Sequence, residues 1–283
     1  MAVTQHRAAT GALETFYHQA GAGTAMPVVL LHGSGPGANA MSNWVHALPF
    51  LGERYRAIAP DLAGFGESIY PNPPRGAAAW IEVWTEQVVA LLDALDIGQA
   101  HLVGNSMGGG VSLQLLRRHP QRFQRVVLMG AVGAPFTATS GLRRGWGYYR
   151  IGTQEELAYL VGKFLHNPAV LGGDVETIAK QRYSLVMQEH IRSQFEAMFP
   201  GDAQDHVDAF VVPEDELKGM PHPMLVTHGR EDFFIPLSTS LHVAKHVPHA
   251  QLHVFHHCGH WIQIEQRQAF NTLIRDFFDG RFD

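Results

Sequence analysis

A serine lies between glycines at Gly104-Asn105-Ser106-Met107-Gly108, which fits G-x-S-x-G. A short apolar run, His101–Val103, precedes it and a helical pattern over Gly109–His119 follows. Ser106 therefore falls on a sharp strand-to-helix turn, which exposes its hydroxyl at a helix N-terminus and demands small neighbours. A serine alcohol is a poor nucleophile at neutral pH; it needs a base, and the base needs an orienting acid. Downstream, Thr227-His228-Gly229-Arg230-Glu231-Asp232 follows one predicted strand, and Phe255-His256-His257-Cys258-Gly259-His260-Trp261 follows the next. Nucleophile, acid and base thus succeed one another as Ser106, Asp232 and His260. Glu231 is the competing acid, with solvent or a salt bridge as its expected partner. Met129-Gly130-Ala131, at the end of another predicted strand, has no carboxylate to offer.

The remaining chemical side chains fit other chemistries poorly. His253, His256, His257 and His260 follow a strand and its loop without a metal-ligand spacing, and His256 and His257 read as structural. His242 and His246 stand four apart on a predicted helix but lack the glutamate of H-E-x-x-H. Cys258 has no glycine elbow and reads as an inert buried thiol. No metal or cofactor is expected. The loop His32-Gly33-Ser34-Gly35-Pro36-Gly37 reads as half of an oxyanion hole, with the N–H groups of Ser34 and Met107 as donors. A phosphate loop is disfavoured, because G-x-x-x-x-G-K-[ST] is absent and Ala38-Asn39-Ala40 breaks any G-x-G-x-x-G.

Strands are expected at Pro27–Leu31, Arg56–Ala59, His101–Val103 and Arg125–Met129, with helices over Trp80–Leu95 and Gly109–His119. This alternation implies a mostly parallel sheet with helices on both faces. It breaks after Gly130. Helical, aromatic-rich segments at 155–165, 174–187 and 189–198 read as an insert covering the sheet. The rhythm returns with a strand at Pro223–Thr227, a helix at Ser238–His246, a strand at Ala250–Phe255 and a helix over Ile262–Phe278. The expected division is a core of residues 1–131 and 213–283 with a helical lid at 132–212.

Composition sets the outer bounds. At 283 residues the chain suits one large α/β domain or a core plus an insert. One cysteine excludes an intramolecular disulfide and multi-thiolate zinc sites. A net charge of −5 argues against nucleic-acid and anionic-membrane binding. No apolar run approaches the ~18 residues of a membrane span. The first residues, Met1-Ala2-Val3-Thr4-Gln5-His6-Arg7, lack the apolar stretch of a signal peptide, so a cytoplasmic protein is expected. Charged residues make up only 17 %, which leaves room for a buried subunit interface, and a homo-oligomer is expected.

Taken together, these motifs resemble the α/β-hydrolase superfamily. His32-Gly-Ser-Gly-Pro-Gly-Ala38 with Ser42-Asn43-Trp44, Gly104–Gly109, Gly229–Asp232 with Ile235-Pro236-Leu237, and Leu252–Phe255 with Cys258–Glu265 narrow the likeness to the meta-cleavage product hydrolases. The likeness extends into the insert at Gln181-Arg182-Tyr183 and Phe195–Pro200. It implies hydrolytic cleavage of a carbon–carbon bond in 2-hydroxy-6-oxohexa-2,4-dienoates, the ring-opened products of catechol-type aromatics. The implied products are a 2-hydroxypenta-2,4-dienoate and a carboxylic acid. Ketonisation of the dienol comes first, so that the departing carbanion is a stabilised dienolate; no cofactor takes part. By the same likeness Arg182 pairs with the substrate carboxylate or 2-oxo group. Asn43, Asn105 and Trp261 surround the dienoate, Phe234 forms an apolar wall, and Gly33 and Gly35 border the substrate. Phe195–Pro200 leans toward family members acting on monocyclic or alkyl-substituted products. The rival readings are a carboxylesterase with the same triad and a non-catalytic ligand receptor on this fold.

Overall fold

A computed structural model of the chain describes residues 1–22, 26–172 and 175–282. Eight strands form one sheet: β1 (Val3–Thr10), β2 (Leu13–Ala20), β3 (Val28–Leu31), β4 (Ala57–Pro60), β5 (Ala100–Asn105), β6 (Phe123–Met129), β7 (Met224–Gly229) and β8 (Ala250–Phe255). Their spatial order is β1-β2-β4-β3-β5-β6-β7-β8. From β4 to β8 every neighbouring pair is parallel, while β1 pairs β2 and β2 pairs β4 antiparallel. This is the mostly parallel sheet expected from the sequence.

The apolar runs of β3, β5 and β7 are buried along their whole length, as they must be when helices cover both faces. Side chains alternate between two cores. Val29, Leu31, Leu102, Val126 and Leu128 join one, packed under the helices Ala77–Ala94 and Met107–Arg118. Val28, Leu30, Val103, Val127 and Met129 join the other, under Ala47–Leu51 and Arg267–Phe278. The helix Met107–Arg118 ends at His119, where Pro120 follows.

Two features differ from the sequence expectation. The β1–β2 hairpin has no counterpart in the sequence pattern: β1 is a mostly exposed edge with no apolar alternation, and its turn rests on Gly11 at φ +69°. The closing helix is broken at Gln266 into Ile262–Glu265 and Arg267–Phe278. The break follows Glu265, whose carboxylate is committed to three backbone N–H groups in other loops.

Between β6 and β7 lie the helices Ser140–Trp146, Gln154–Lys163, Val175–Val186, Glu189–Met198, Ala203–Phe210 and Glu214–Lys218, and no strand among the described residues. Residue 174, the expected start of one of these helices, lies outside the described residues. Leu142, Trp146, Leu160, Phe195 and Met198 join the same core cluster as the sheet face beneath. Among the described residues no helix is long and apolar enough to cross a membrane.

Candidate active site

The parallel strands deliver the candidate groups to one edge of the sheet, beyond their carboxyl ends, where open α/β sheets bind ligands. The loop after β3 carries Gly33–Gly35, the turn after β5 carries Ser106, and the loops after β7 and β8 carry Asp232 and His260.

Ser106 has φ +55° and ψ −116°, a conformation that L-residues rarely hold. The surroundings enforce it. Its N–H donates to Met129 O at 2.8 Å, and its carbonyl accepts from Gly109, Gly110 and Val132. A Cβ at Gly104 would lie 2.4 Å from Ser112 Oγ, and one at Gly108 would lie 2.3 Å from Leu31 O. Only glycine fits either side of the elbow.

His260 Nδ1 donates to Asp232 Oδ2 at 2.6 Å, which leaves the Nε2 lone pair free to accept a proton. Asp232 Oδ1 accepts from the N–H groups of Phe234 (2.8 Å) and Ile235 (3.0 Å). Burial alone would raise this carboxyl, but the His260 imidazole, with help from His228 and Ile235 N–H, holds it below the usual carboxylate range. Asp232 is therefore ionised at neutral pH. His228 stands behind it, Nε2 3.6 Å from Oδ2. Its Nε2–H donates to Ile235 O at 3.0 Å and its Nδ1 accepts from the Ser240 hydroxyl at 2.7 Å. Burial lowers the His228 pKa, so the ring is neutral and braces the acid loop.

The loop after β3 is held by His32. Its Nδ1–H donates to Gly33 O at 2.7 Å and its Nε2 accepts from Leu62 N–H at 3.0 Å. Burial pushes its pKa down to about 4, so it stays neutral. Gly33 N–H donates to Asn43 Oδ1 at 2.8 Å. The Asn43 Nδ2 group is buried without a hydrogen-bond partner among the described residues, and Asn43 lines the pocket beside Ser106. The N–H groups of Ser34 and Met107 have no protein acceptor among the described residues, as the oxyanion-hole reading requires.

One pocket is bordered by ten of the residues singled out in the sequence: Gly33, Ser34, Gly35, Asn43, Asn105, Ser106, Arg182, Phe234, His260 and Trp261. Met107 is fully buried and does not line it; the Asp232 side chain is hidden as well and meets it only through His260. Arg182, from the helix Val175–Val186, is half-buried and has no carboxylate partner among the described residues. Burial lowers its pKa. Its guanidinium lies 5.8 Å from the Trp261 ring. Asn105 is tied to Met129 O through Nδ2 at 3.2 Å.

Several residues of the site escape a sequence reading. Phe164 stacks between Phe234 and Trp261, at centroid distances of 4.1 and 4.6 Å. Trp146 Nε1 donates to Ser34 Oγ at 2.8 Å, joining the insert to the loop after β3. Glu265 accepts from Gly259 (2.6 Å), Asn167 (2.7 Å) and His166 (3.0 Å), which ties the His260 loop to the insert. The spacing Gly259-His260-Trp261 to Glu265 was the only trace of this clamp in the sequence.

The rival groups are occupied elsewhere. Glu231 accepts from Cys258 N–H at 2.9 Å and lies 3.2 Å from Arg230 Nε, so it braces the loop and leaves the imidazole to Asp232. Cys258 is buried, and burial with nearby carboxylates pushes its thiol pKa up. His256 and His257 are exposed.

A family model described as the alpha/beta hydrolase fold matches residues 27–266. The 2-hydroxymuconate semialdehyde hydrolase of Pseudomonas sp. (strain CF600) is 43% identical over 94% of this chain and 90% of its own. The 2-hydroxy-6-oxo-2,4-heptadienoate hydrolase of Pseudomonas putida F1 is 40% identical over 94% and 93%. The crystal structure of a serine hydrolase from the polyaromatic hydrocarbon-degrading bacterium Cycloclasticus zankles superposes with a TM-score of 0.99, at 54% identity over 100% of both chains.

Proposed function

The chain belongs to the meta-cleavage product hydrolases of the α/β-hydrolase fold, enzymes that hydrolyse a carbon–carbon bond in a small dienoate, and we propose that it does so through Ser106, His260 and Asp232. The observation that carries the assignment is a single pocket bordered by Ser106, His260 and the Arg182 guanidinium, which has no carboxylate partner among the described residues. A simple ester needs the first two and has no carboxylate for the third.

In this reading Arg182 binds the carboxylate end of the substrate, since a guanidinium fork suits that anion. The Asn43 amide donates to the oxygen at C2. His260, its Nδ1–H given to Asp232, takes the enol proton and returns one to C5, so that C2 becomes a ketone. Ser106 Oγ then attacks the C6 carbonyl and gives its proton to His260 Nε2. The negative charge that develops on the C6 oxygen meets the N–H groups of Ser34 and Met107. Collapse of this adduct breaks C5–C6: the electron pair passes into the C2 ketone as a dienolate, which is protonated to 2-hydroxypenta-2,4-dienoate, and the acyl group stays on Ser106. His260 activates a water that releases it as a carboxylic acid. The strained elbow and the Glu265 clamp support this by fixing nucleophile and base before substrate arrives.

We further propose that the substituent on C6 is small and uncharged. Apart from Arg182, which the substrate's own carboxylate occupies in this reading, the insert presents an apolar wall to the pocket that includes Leu142, Trp146, Leu157, Leu160 and Val161, where a second carboxylate would be desolvated without a partner. The names of the two Pseudomonas relatives describe substrates with hydrogen or methyl at that position. The same reading makes residues 132–212 a lid over a core of 1–131 and 213–283, in a homo-oligomer. The test is a panel of ring-fission products with hydrogen, methyl, phenyl or a carboxylate-bearing chain on C6, followed by loss of visible absorbance. Hydrogen and methyl should give the highest kcat/KM. A preference for the carboxylate-bearing chain, or for p-nitrophenyl esters over every dienoate, would overturn the reading.

A further inference from the structure

The helix Leu237–His246 carries His242 and His246 four residues apart, on one face. The fold brings Glu214, from the short helix Glu214–Lys218, against them. None of the three borders the Ser106 pocket. One ligand atom from each lies within 4.8 Å of the others. We infer that Glu214, His242 and His246 form a binding site for one divalent transition-metal ion of the zinc class, separate from the catalytic pocket.

Three details of the cluster favour a metal over a simple ion pair. First, His246 Nε2 lies 3.4 Å from Glu214 Oε2. Two ligands bonded to zinc at ~2.0–2.1 Å in a tetrahedron stand about 3.3 Å apart, so this pair needs almost no movement. Second, His246 Nδ1–H donates to His242 O at 2.9 Å. That bond fixes the tautomer whose Nε2 lone pair faces Glu214, the arrangement by which metal-bound histidines are oriented. Third, His242 Nε2 is buried with no hydrogen-bond partner among the described residues, and buried polar atoms are seldom left so. Burial, then His246, lowers the His242 pKa, so the ring is neutral and able to ligate. Glu214 also lies 3.7 Å from Lys218 Nζ, an exposed contact that a divalent ion would displace. Three imidazole and carboxylate ligands suit zinc, cobalt or nickel, with water completing the shell.

The position gives the site a structural role. The helix Glu214–Lys218 leads into β7, and the helix Leu237–His246 leaves the Asp232 loop and supplies Ser240 to His228. An ion bridging them would stiffen the frame around Asp232 without entering the reaction.

The experiment uses the full chain, stripped with chelator and dialysed. Zinc chloride binding is followed by calorimetry, cobalt by its visible d–d bands, and both by thermal unfolding. Wild type should bind one equivalent. At zinc 100-fold above Kd its Tm should rise by about 5 °C or more, while the rate of dienoate cleavage stays unchanged. His242→Gln and Glu214→Gln should each weaken binding at least tenfold, and His242→Gln/His246→Gln should abolish both the bands and the Tm rise. No zinc binding by wild type below 100 µM, or binding that survives in the double variant, would overturn the inference.

Discussion

Replacing Gly130 with alanine tests whether the placement of the Asp232–His260 pair governs the rate. Gly130 follows β6 at φ +50°, and its Cα faces the pair: an added Cβ would lie 3.1 Å from both Asp232 Oδ2 and His260 Nδ1, and 3.2 Å from His260 Cε1. Ordinary contact starts near 3.4 Å, so one partner must yield by a few tenths of an ångström. Asp232 is held by two backbone N–H groups, so the imidazole moves. A misplacement of about 1 Å costs roughly 10²-fold in rate; a shift of about a third of that costs roughly three- to tenfold in kcat. The left-handed backbone adds about 1 kcal/mol of strain for alanine, or a Tm lowered by about 2–4 °C at this chain length. Steady-state loss of dienoate absorbance and thermal unfolding measure the two effects separately. KM should hardly change, because Gly130 does not border the pocket. A variant with lowered Tm and undiminished kcat would refute the claim that the pair is positioned to this tolerance.

Arg182→Gln should lower kcat/KM for a dienoate by about ten- to a hundredfold, the worth of a charged hydrogen bond, and leave hydrolysis of a neutral nitrophenyl ester within a few-fold; equal losses on both substrates would make Arg182 structural. Asp232→Asn should reduce kcat by on the order of 10³–10⁴-fold by leaving the imidazole in the wrong tautomer. Glu231→Gln, which still offers an oxygen to Cys258 N–H, should cost only a few-fold, and the opposite ranking in the same assay would exchange the two acids.

The sheet and the proposed catalytic groups are legible in the sequence because a local motif carries each. Val28–Leu31 and Met224–Thr227 are short continuous apolar runs, which a doubly covered parallel strand requires. The G-x-S-x-G glycines are required by close backbone approach at one turn. What is not legible depends on distant partners. Trp146 is one aromatic among many in the insert until its indole is seen on Ser34 Oγ. Gly130 reads as the absence of a carboxylate, yet its missing side chain makes room for the pair. Glu265 reads as part of a helix that its own carboxylate interrupts. The β1–β2 hairpin hides because an exposed edge strand has no apolar period. The partner of His242 and His246 stands 28 residues upstream, beyond any local motif.

The central claim is that Ser106 performs the cleavage while Arg182 and Asn43 bind the dienoate. It is tested most directly by mixing Ser106→Ala with 2-hydroxy-6-oxohepta-2,4-dienoate in a stopped-flow spectrophotometer. The account predicts that the variant binds the yellow chromophore with an affinity near the wild-type KM and shifts its spectrum. Turnover should fall by about 10³-fold or more. Cleavage at the wild-type rate would contradict it.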